Sequence, residues 1–455
     1  MAQPRHPGFD PDDPGLLSVA QAGMLIDQYE LTIASSYLGH GMGEPAVFEL
    51  FVRHLPARRD WLLVAGLGPA LALVRQLSFG DDDVAYLADR GFGEPFLRYL
   101  SAFRFTGDVD AMPEGTIAFA NEPLVRVTAP LIEAQLLETL LLNQINFQTM
   151  IATKAARVVL AAGGGRPGAG ERIIDFSPRR DHGIDAAMKA ARSAAVAGAI
   201  GTSNVAAAMR YGLRPVGTMA HSYVLSFASE REAFETFLRD FPDNAVLLVD
   251  TYDTVEGVRN AIAASQATGV ALSGVRLDSG DLDALSRAAR ELLDAAGLTS
   301  ARILASGNLE ESRIAELVAA GAPIDAWGVG TDLGTSRDSP TVDGVYKLVA
   351  HRRDGHWLGV RKRSPHKATV PGAKQVFRRY AGGAMRGDVI AMADESHPGR
   401  PLLVPVMRAG ERVRSESLDD VRARADTELT ALPGRLPYPV EWSARCLAAM
   451  AATAP

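Results

Sequence analysis

Gly274-Val275-Arg276-Leu277-Asp278-Ser279-Gly280-Asp281 is the stretch that decides the fold. A short apolar run ends in a polar cluster with a turn glycine. From Leu282 the apolar residues then recur at helical spacing. The same phrase is written three more times. Ala245–Val249 ends at Asp250-Thr251-Tyr252-Asp253, Arg302–Ala305 at Ser306-Gly307-Asn308, and Asp325–Val329 at Gly330-Thr331-Asp332. Asp250, Asp278, Ser306 and Gly330 step by 28, 28 and 24 residues, the length of one βα unit with short loops. Val255–Ala267, Leu282–Ala296 and Glu310–Ala320 carry the intervening helical patterns. Such units build a parallel sheet with right-handed crossovers. Strands near Ile173, Ala199, Val216 and Val345 bring the count to about eight, which predicts a (β/α) barrel.

Composition frames this reading. A chain of 455 residues exceeds one typical core and predicts about two domains. Hydrophobic residues make up 47% and charged residues 22%, the values of an ordinary globular protein. The net charge of −7 offers no basic footprint for nucleic acid. The longest apolar stretch, Leu131–Val159, is broken by Glu133, Gln135, Glu138, Asn143, Gln144, Asn146 and Lys154. It reads as a long buried helix, not a membrane span. The single cysteine, Cys446, excludes an intrachain disulfide and a cysteine-based metal site. No apolar segment follows Met1, so no secretory signal is visible and a cytoplasmic location is expected.

Along the chain, residues 1–22 read as a flexible tail, 23–145 as an N-terminal α/β domain and 146–345 as the barrel. Residues 346–455 read as a segment returning to the second domain. Helical sequence is expected from Leu25 to Leu38 and again up to about Tyr99. Strands are expected around Met112–Val127, Asp388–Ala391 and Leu402–Val406, and helices over Leu418–Leu432 and Glu441–Ala452. The glycine-rich Gly163–Gly170 lacks the Lys-Ser/Thr of a phosphate loop and precedes a strand, so it reads as a surface connection.

In a βα barrel the chemistry sits at the C-terminal strand ends. Those ends carry Arg179, Thr218, His221, Asp250, Arg276, Asp278, Ser306, Asn308, Gly330 and Thr331. Asp281 and Thr254 suit helix caps. Arg276 does not, because an arginine within an apolar strand needs an anion. Glycines beside Ser306 and Thr331, each ahead of a helix, suit a phosphate. His221, between small residues after Pro215-Val216, either bonds its own loop or offers an imidazole to a ligand. Two phosphate sites, two arginines and several carboxylates suit a doubly phosphorylated sugar with Mg²⁺ and an anionic co-substrate.

With these residues in view, the chain resembles the nicotinate phosphoribosyltransferases from about Asp27 to Arg378. The resemblance is carried, in order, by Asp27-Gln28-Tyr29-Glu30-Leu31-Thr32, Arg179-Arg180-x-x-Gly183, Gly201-Thr202-Ser203-Asn204-Val205 and Gly217-Thr218-x-Ala220-His221-Ser222. Val249-Asp250-Thr251-Tyr252, Val275–Asp281, Gly328-Val329-Gly330-Thr331, Val345-Tyr346-Lys347-Leu348 and Pro371-Gly372-x-Lys374-Gln375-Val376 complete it. The resemblance implies an irregular α/β barrel plus a second α/β domain built from both chain ends, in a homodimer with active sites near the interface. It implies a type II phosphoribosyltransferase joining nicotinate to phosphoribosyl pyrophosphate, with ATP as co-substrate and Mg²⁺, at the entry to NAD salvage.

The resemblance also implies roles. His221 is the histidine phosphorylated by ATP. Arg276 engages the nicotinate carboxylate, Tyr29, of the same or the neighbouring subunit, packs on the pyridine ring and Thr218 contacts nicotinate. Arg179 serves the pyrophosphate or the carboxylate. Asp250 and Asp278 hold the ribose hydroxyls, Mg²⁺ or Arg276. Ser306, Gly307, Asn308, Gly330 and Thr331 receive phosphoribosyl pyrophosphate. Three positions depart from the family pattern. Pro178 stands where many members have the leucine of Phe-Gly-Leu, Asn308 where an acidic residue often follows the glycine, and Asp332 where some have a small residue. Nicotinamide- and quinolinate-using relatives, and a silent ligand-binding barrel, are the competing readings.

Overall fold

The computed structural model describes residues 18–168, 172–362, 369–433 and 437–452. The chain divides into two compact units. One comprises Met1–Phe147, Val342–Ser417 and Ala431–Pro455, the other Gln148–Thr341 and Leu418–Thr430. Residues 1–17 of the expected tail, and Ala169 and Gly170 of the glycine-rich stretch, lie outside the described residues. Within the remainder of that tail, Val19–Met24 forms a 3₁₀ turn whose start is held by the Ser18 N–H donating to Gln21 Oε1 at 3.1 Å.

The second unit holds seven parallel strands, Ile173–Asp175, Gly201–Thr202, Arg214–Pro215, Val246–Leu248, Gly274–Leu277, Arg302–Ala305 and Ala326–Val329. Consecutive strands are neighbours with one exception, and the last pairs with the first through Trp327–Ile173, Gly328–Ile174 and Val329–Asp175. The ring is thus a curled, barrel-like sheet opened once, between Arg214–Pro215 and Val246–Leu248. There the Asn244 amide donates to the Gly217 carbonyl at 3.0 Å. Strands this short still form because most are apolar and buried, with Ile173, Leu247, Val275, Leu277, Ile303, Ala305 and Val329 in the core, whereas Arg214–Pro215, beside the opening, is exposed.

Helices follow the strands as the spacing predicts, at Thr254–Thr268, Leu282–Ala295 and Glu311–Ala319. Asp281 caps its helix, accepting from the Asp283 and Ala284 amides. The cap one unit earlier is Asp253, not Thr254; its carboxylate accepts from the Glu256 amide at 2.9 Å. The helix Leu418–Thr430 also belongs to this unit and packs on Ile184–Val196.

Val345, counted as an eighth barrel strand, belongs elsewhere. Gly344–Arg353 pairs antiparallel with Pro45–Val52 in the first unit, within an antiparallel seven-stranded sheet. Pro45–Val52 itself lies where helical sequence was expected. Its run Ala-Val-Phe-Glu-Leu-Phe-Val is buried throughout and is hydrogen-bonded on both edges, which a helix could not offer it. The Leu131–Val159 pattern forms two helices, Leu131–Gln135 and Glu138–Ala162. A four-stranded sheet of Arg400–Pro401, Lys374–Ala381, Ala384–Met392 and Val440–Trp442 completes the first unit's main strands. Among the described residues, no helix is long and apolar enough to cross a membrane.

Candidate active site

Arg276 organises the strand ends. Alternation along Gly274–Leu277 buries Val275 and Leu277 outward against the helices and turns Arg276 to the other face. Its Nε donates to Ser306 Oγ at 2.8 Å and its Nη2 to Asp278 Oδ1 at 2.6 Å. The Ser306 hydroxyl in turn donates a hydrogen bond to the same Asp278 oxygen at 2.5 Å. Behind the guanidinium lies the Phe176 ring, 5.2 Å from Cζ, a cation–π distance. Nη1 has no partner among the described residues. An arginine so clamped keeps a fixed fork with donors to spare, the geometry that reads a carboxylate or phosphate.

The carboxylates differ in environment. Burial alone would raise the pKa of Asp278, but the Ser306 hydrogen bond and Arg276 outweigh it and hold the group below its ordinary value. Asp250, on the next strand end, accepts from the Asp278 amide at 3.1 Å and from Ser279 Oγ at 2.6 Å through Oδ2. Its Oδ1 is buried without a hydrogen-bond partner among the described residues. His221 opens the short helix His221–Leu225, beside the gap in the ring, and its Nδ1 lies 3.2 Å from Thr251 Oγ1. Asp175, fully buried, has its pKa raised by burial against the hydrogen bonds from Ser177 and Thr202. Asp181 is pushed up to about 6, chiefly by burial, with Asp175 adding to it and Ser177 opposing.

Beside Arg276 lies a cavity of about 210 Å³. Its wall includes Phe176, Arg179, Arg180, Arg276, Asp278, Ser306, Gly307, Asn308, Gly328, Gly330, Thr331 and Asp332. Gly307 (φ +85°) and Asn308 (φ +47°) are both left-handed. A Cβ at Gly307 would stand 1.8 Å from the Asp278 carbonyl oxygen, so only glycine lets this loop approach the neighbouring strand end. Among the described residues, no acceptor meets the N–H groups of Gly307, Asn308 and Leu309. Across the cavity, Gly330 precedes the helix Thr331–Thr335, whose first amides are likewise open by helix geometry. Two amide-bearing loops, with Arg179, Arg180 and Arg276, make a surface for more than one anionic group.

The structure thus gathers eight predicted residues on one wall: Arg179, Arg276, Asp278, Ser306, Gly307, Asn308, Gly330 and Thr331. Asp250 joins them through the Asp278 amide. His221 joins through its electrostatic reach to Asp278, which it helps to keep ionised. Thr218 lies in the same loop as His221, with its hydroxyl 3.4 Å from the Met219 carbonyl oxygen. Tyr29 belongs to the first unit, half exposed on the helix Gln28–Gly39, where burial and Glu138 raise its phenol pKa. The sequence reading assigned no role to Phe176, Thr251, Arg180 or Asp332. Gly328 leaves room for the Phe176 ring, since a Cβ there would stand 2.4 Å from it.

Residues 24–146 match the nicotinate phosphoribosyltransferase N-terminal domain and residues 172–379 the nicotinate phosphoribosyltransferase family. The chain is 47% identical over 441 residues to nicotinate phosphoribosyltransferase pncB2 of Mycobacterium tuberculosis, covering 94% of this chain and 93% of the relative. It is 44% identical over 378 residues to nicotinate phosphoribosyltransferase of Bacillus subtilis, covering 81% and 76%. The crystal structure of human nicotinic acid phosphoribosyltransferase superposes with a TM-score of 0.80 at 28% identity, over 93% of this chain and 98% of that one. The chain belongs to the nicotinate phosphoribosyltransferase family.

Proposed function

We propose that the chain transfers the phosphoribosyl group of phosphoribosyl pyrophosphate to nicotinate, giving nicotinate mononucleotide and pyrophosphate. The observation that supports this most is the clamped Arg276 facing a cavity with amide-bearing loops on its wall. Nicotinate brings a carboxylate to the guanidinium, and nicotinamide cannot. Arg179 and Arg180 serve the pyrophosphate, and Gly307–Leu309 with Gly330–Asp332 serve the 5′-phosphate. The bond from the sugar C1 to pyrophosphate breaks as the bond to the pyridine nitrogen forms. Asp250 and Asp278 steady the cationic sugar between these events. Thr218 contacts nicotinate.

ATP drives the reaction through His221. With Nδ1 held by Thr251, Nε2 is the nitrogen left to attack the γ-phosphate, and ADP departs. The phosphoryl group adds about −1.5 to −2 charges beside the site. Mg²⁺ fits the orphaned Asp250 Oδ1 as one of few protein ligands, the rest being substrate oxygens and water. The ion supplies neutralisation of the pyrophosphate leaving group. The working enzyme is a homodimer. Ile184, Val205, Met209 and Tyr252, all at least 66% exposed near the strand ends, support it as apolar surface that a second copy would cover. The product is the first nucleotide of NAD salvage from nicotinate.

The test is product formation from nicotinate against nicotinamide, with phosphoribosyl pyrophosphate and Mg²⁺, with and without ATP. Nicotinate reacting alone, and faster or further with ATP, is the expected result. Reaction of nicotinamide alone, or no ATP effect, would overturn the corresponding half of the reading.

A further inference from the structure

Both amide-bearing loops lead back to one buried cation. Lys154, on the helix Glu138–Ala162, is 1% exposed at its side chain. Its Nζ donates to Glu311 Oε2 at 2.5 Å and to Asp338 Oδ1 at 2.9 Å. Glu311 is the first residue of the helix that follows Gly307–Leu309, and Arg157 Nε donates to its second oxygen at 3.0 Å. Asp338 lies just past the helix Thr331–Thr335 that follows Gly330. The N-terminus of Glu311–Ala319 is already filled by the Glu310 carboxylate, which accepts from the Ser312 and Arg313 amides. Its dipole is therefore not what receives a ligand there.

We infer that Lys154 is a positioning residue: it ties the Gly307–Leu309 loop to the Gly330–Asp332 loop from behind and so fixes the separation at which both meet one phosphate. It also offsets the acidic layer behind that phosphate. Asp332, on the cavity wall, and Glu310 both lie within its electrostatic reach. A buried lysine with two carboxylates is a costly device that apolar residues would replace in a merely stable core. Its presence suits a role in geometry. The inference rests on the phosphate reading of these loops.

The experiment measures binding of inorganic phosphate and of ribose 5-phosphate to the full chain, with KM for each substrate, in Lys154→Met, Lys154→Arg and Asp338→Asn. Lys154→Met weakens phosphate binding by about tenfold or more, equal to about 1.4 kcal/mol, while KM for nicotinate stays within about twofold. Lys154→Arg, keeping charge and reach, recovers most of the affinity. If Lys154→Met does not fold, Asp338→Asn decides. It makes the region more positive yet unties one loop, so the inference requires weaker phosphate binding. Unchanged or tighter binding in folded Lys154→Met or in Asp338→Asn would overturn it. A parent chain that binds neither phosphate probe would instead overturn the cradle reading itself.

Discussion

Arg276 Nη2 donates to Asp278 Oδ1 over 2.6 Å, two residues along one strand end, and Ser306 Oγ reaches the same oxygen. Asp278 thus holds the guanidinium in place and stays ionised because it does so. Asp278→Asn keeps the shape but weakens the clamp, and KM for nicotinate should rise about tenfold, from loss of one charge-assisted bond. The sign with pH follows. The folded carboxyl titrates below its ordinary value, so its stabilisation is present above that value and lost as pH falls through the folded pKa. Acid unfolding of Asp278→Asn should therefore show a shallower limb below about pH 4.

Gly307 tests the loop. An alanine Cβ would overlap the Asp278 carbonyl oxygen and sit at φ +85°. Gly307→Ala should raise KM for phosphoribosyl pyrophosphate and lower stability by about 1–3 kcal/mol, read by steady-state kinetics and chemical denaturation. Unaltered KM would remove this loop from the site.

Glu30 tests a buried acid in the first unit. Its side chain accepts from Thr139 Oγ1 at 2.5 Å, yet burial lifts its pKa from 4.5 to about 7. A carboxyl raised in the fold contributes stability below its unfolded pKa and loses it as pH rises through the folded one. Between pH 4.5 and 7, then, the parent loses stability that Glu30→Gln retains. Melting curves at the two ends should show the variant gaining on the parent as pH rises, and parallel curves would refute the assignment.

His221 tests the ATP link. His221→Asn should keep a basal reaction, lose ATP stimulation and carry no acid-labile phosphate after incubation with labelled ATP. Stimulation that persists in the variant would remove the phosphohistidine step.

Most of the barrel was legible because most of its strands are buried apolar runs that end in polar clusters, four of them at regular spacing. The same property hid Pro45–Val52, where an eight-residue, mostly apolar stretch does not distinguish a buried strand from a buried helix. Val345 was miscounted because its partner, Phe51, lies almost 300 residues earlier in the chain. The site residues at strand ends were legible from polar groups in apolar surroundings. Phe176 beneath Arg276 was not, since a ring–guanidinium contact over 100 residues of chain leaves no local pattern. The Lys154 tether was likewise hidden, its lysine reading as one polar break in a long helix.

The most direct measurement is the ratio of kcat/KM for nicotinate to that for nicotinamide, in the parent and in Arg276→Gln. The parent should favour nicotinate by about a hundredfold or more, and the variant should lose most of that preference, as expected when one partner of a charge pair worth about 2–5 kcal/mol is removed. A preference that survives in folded Arg276→Gln would contradict the account.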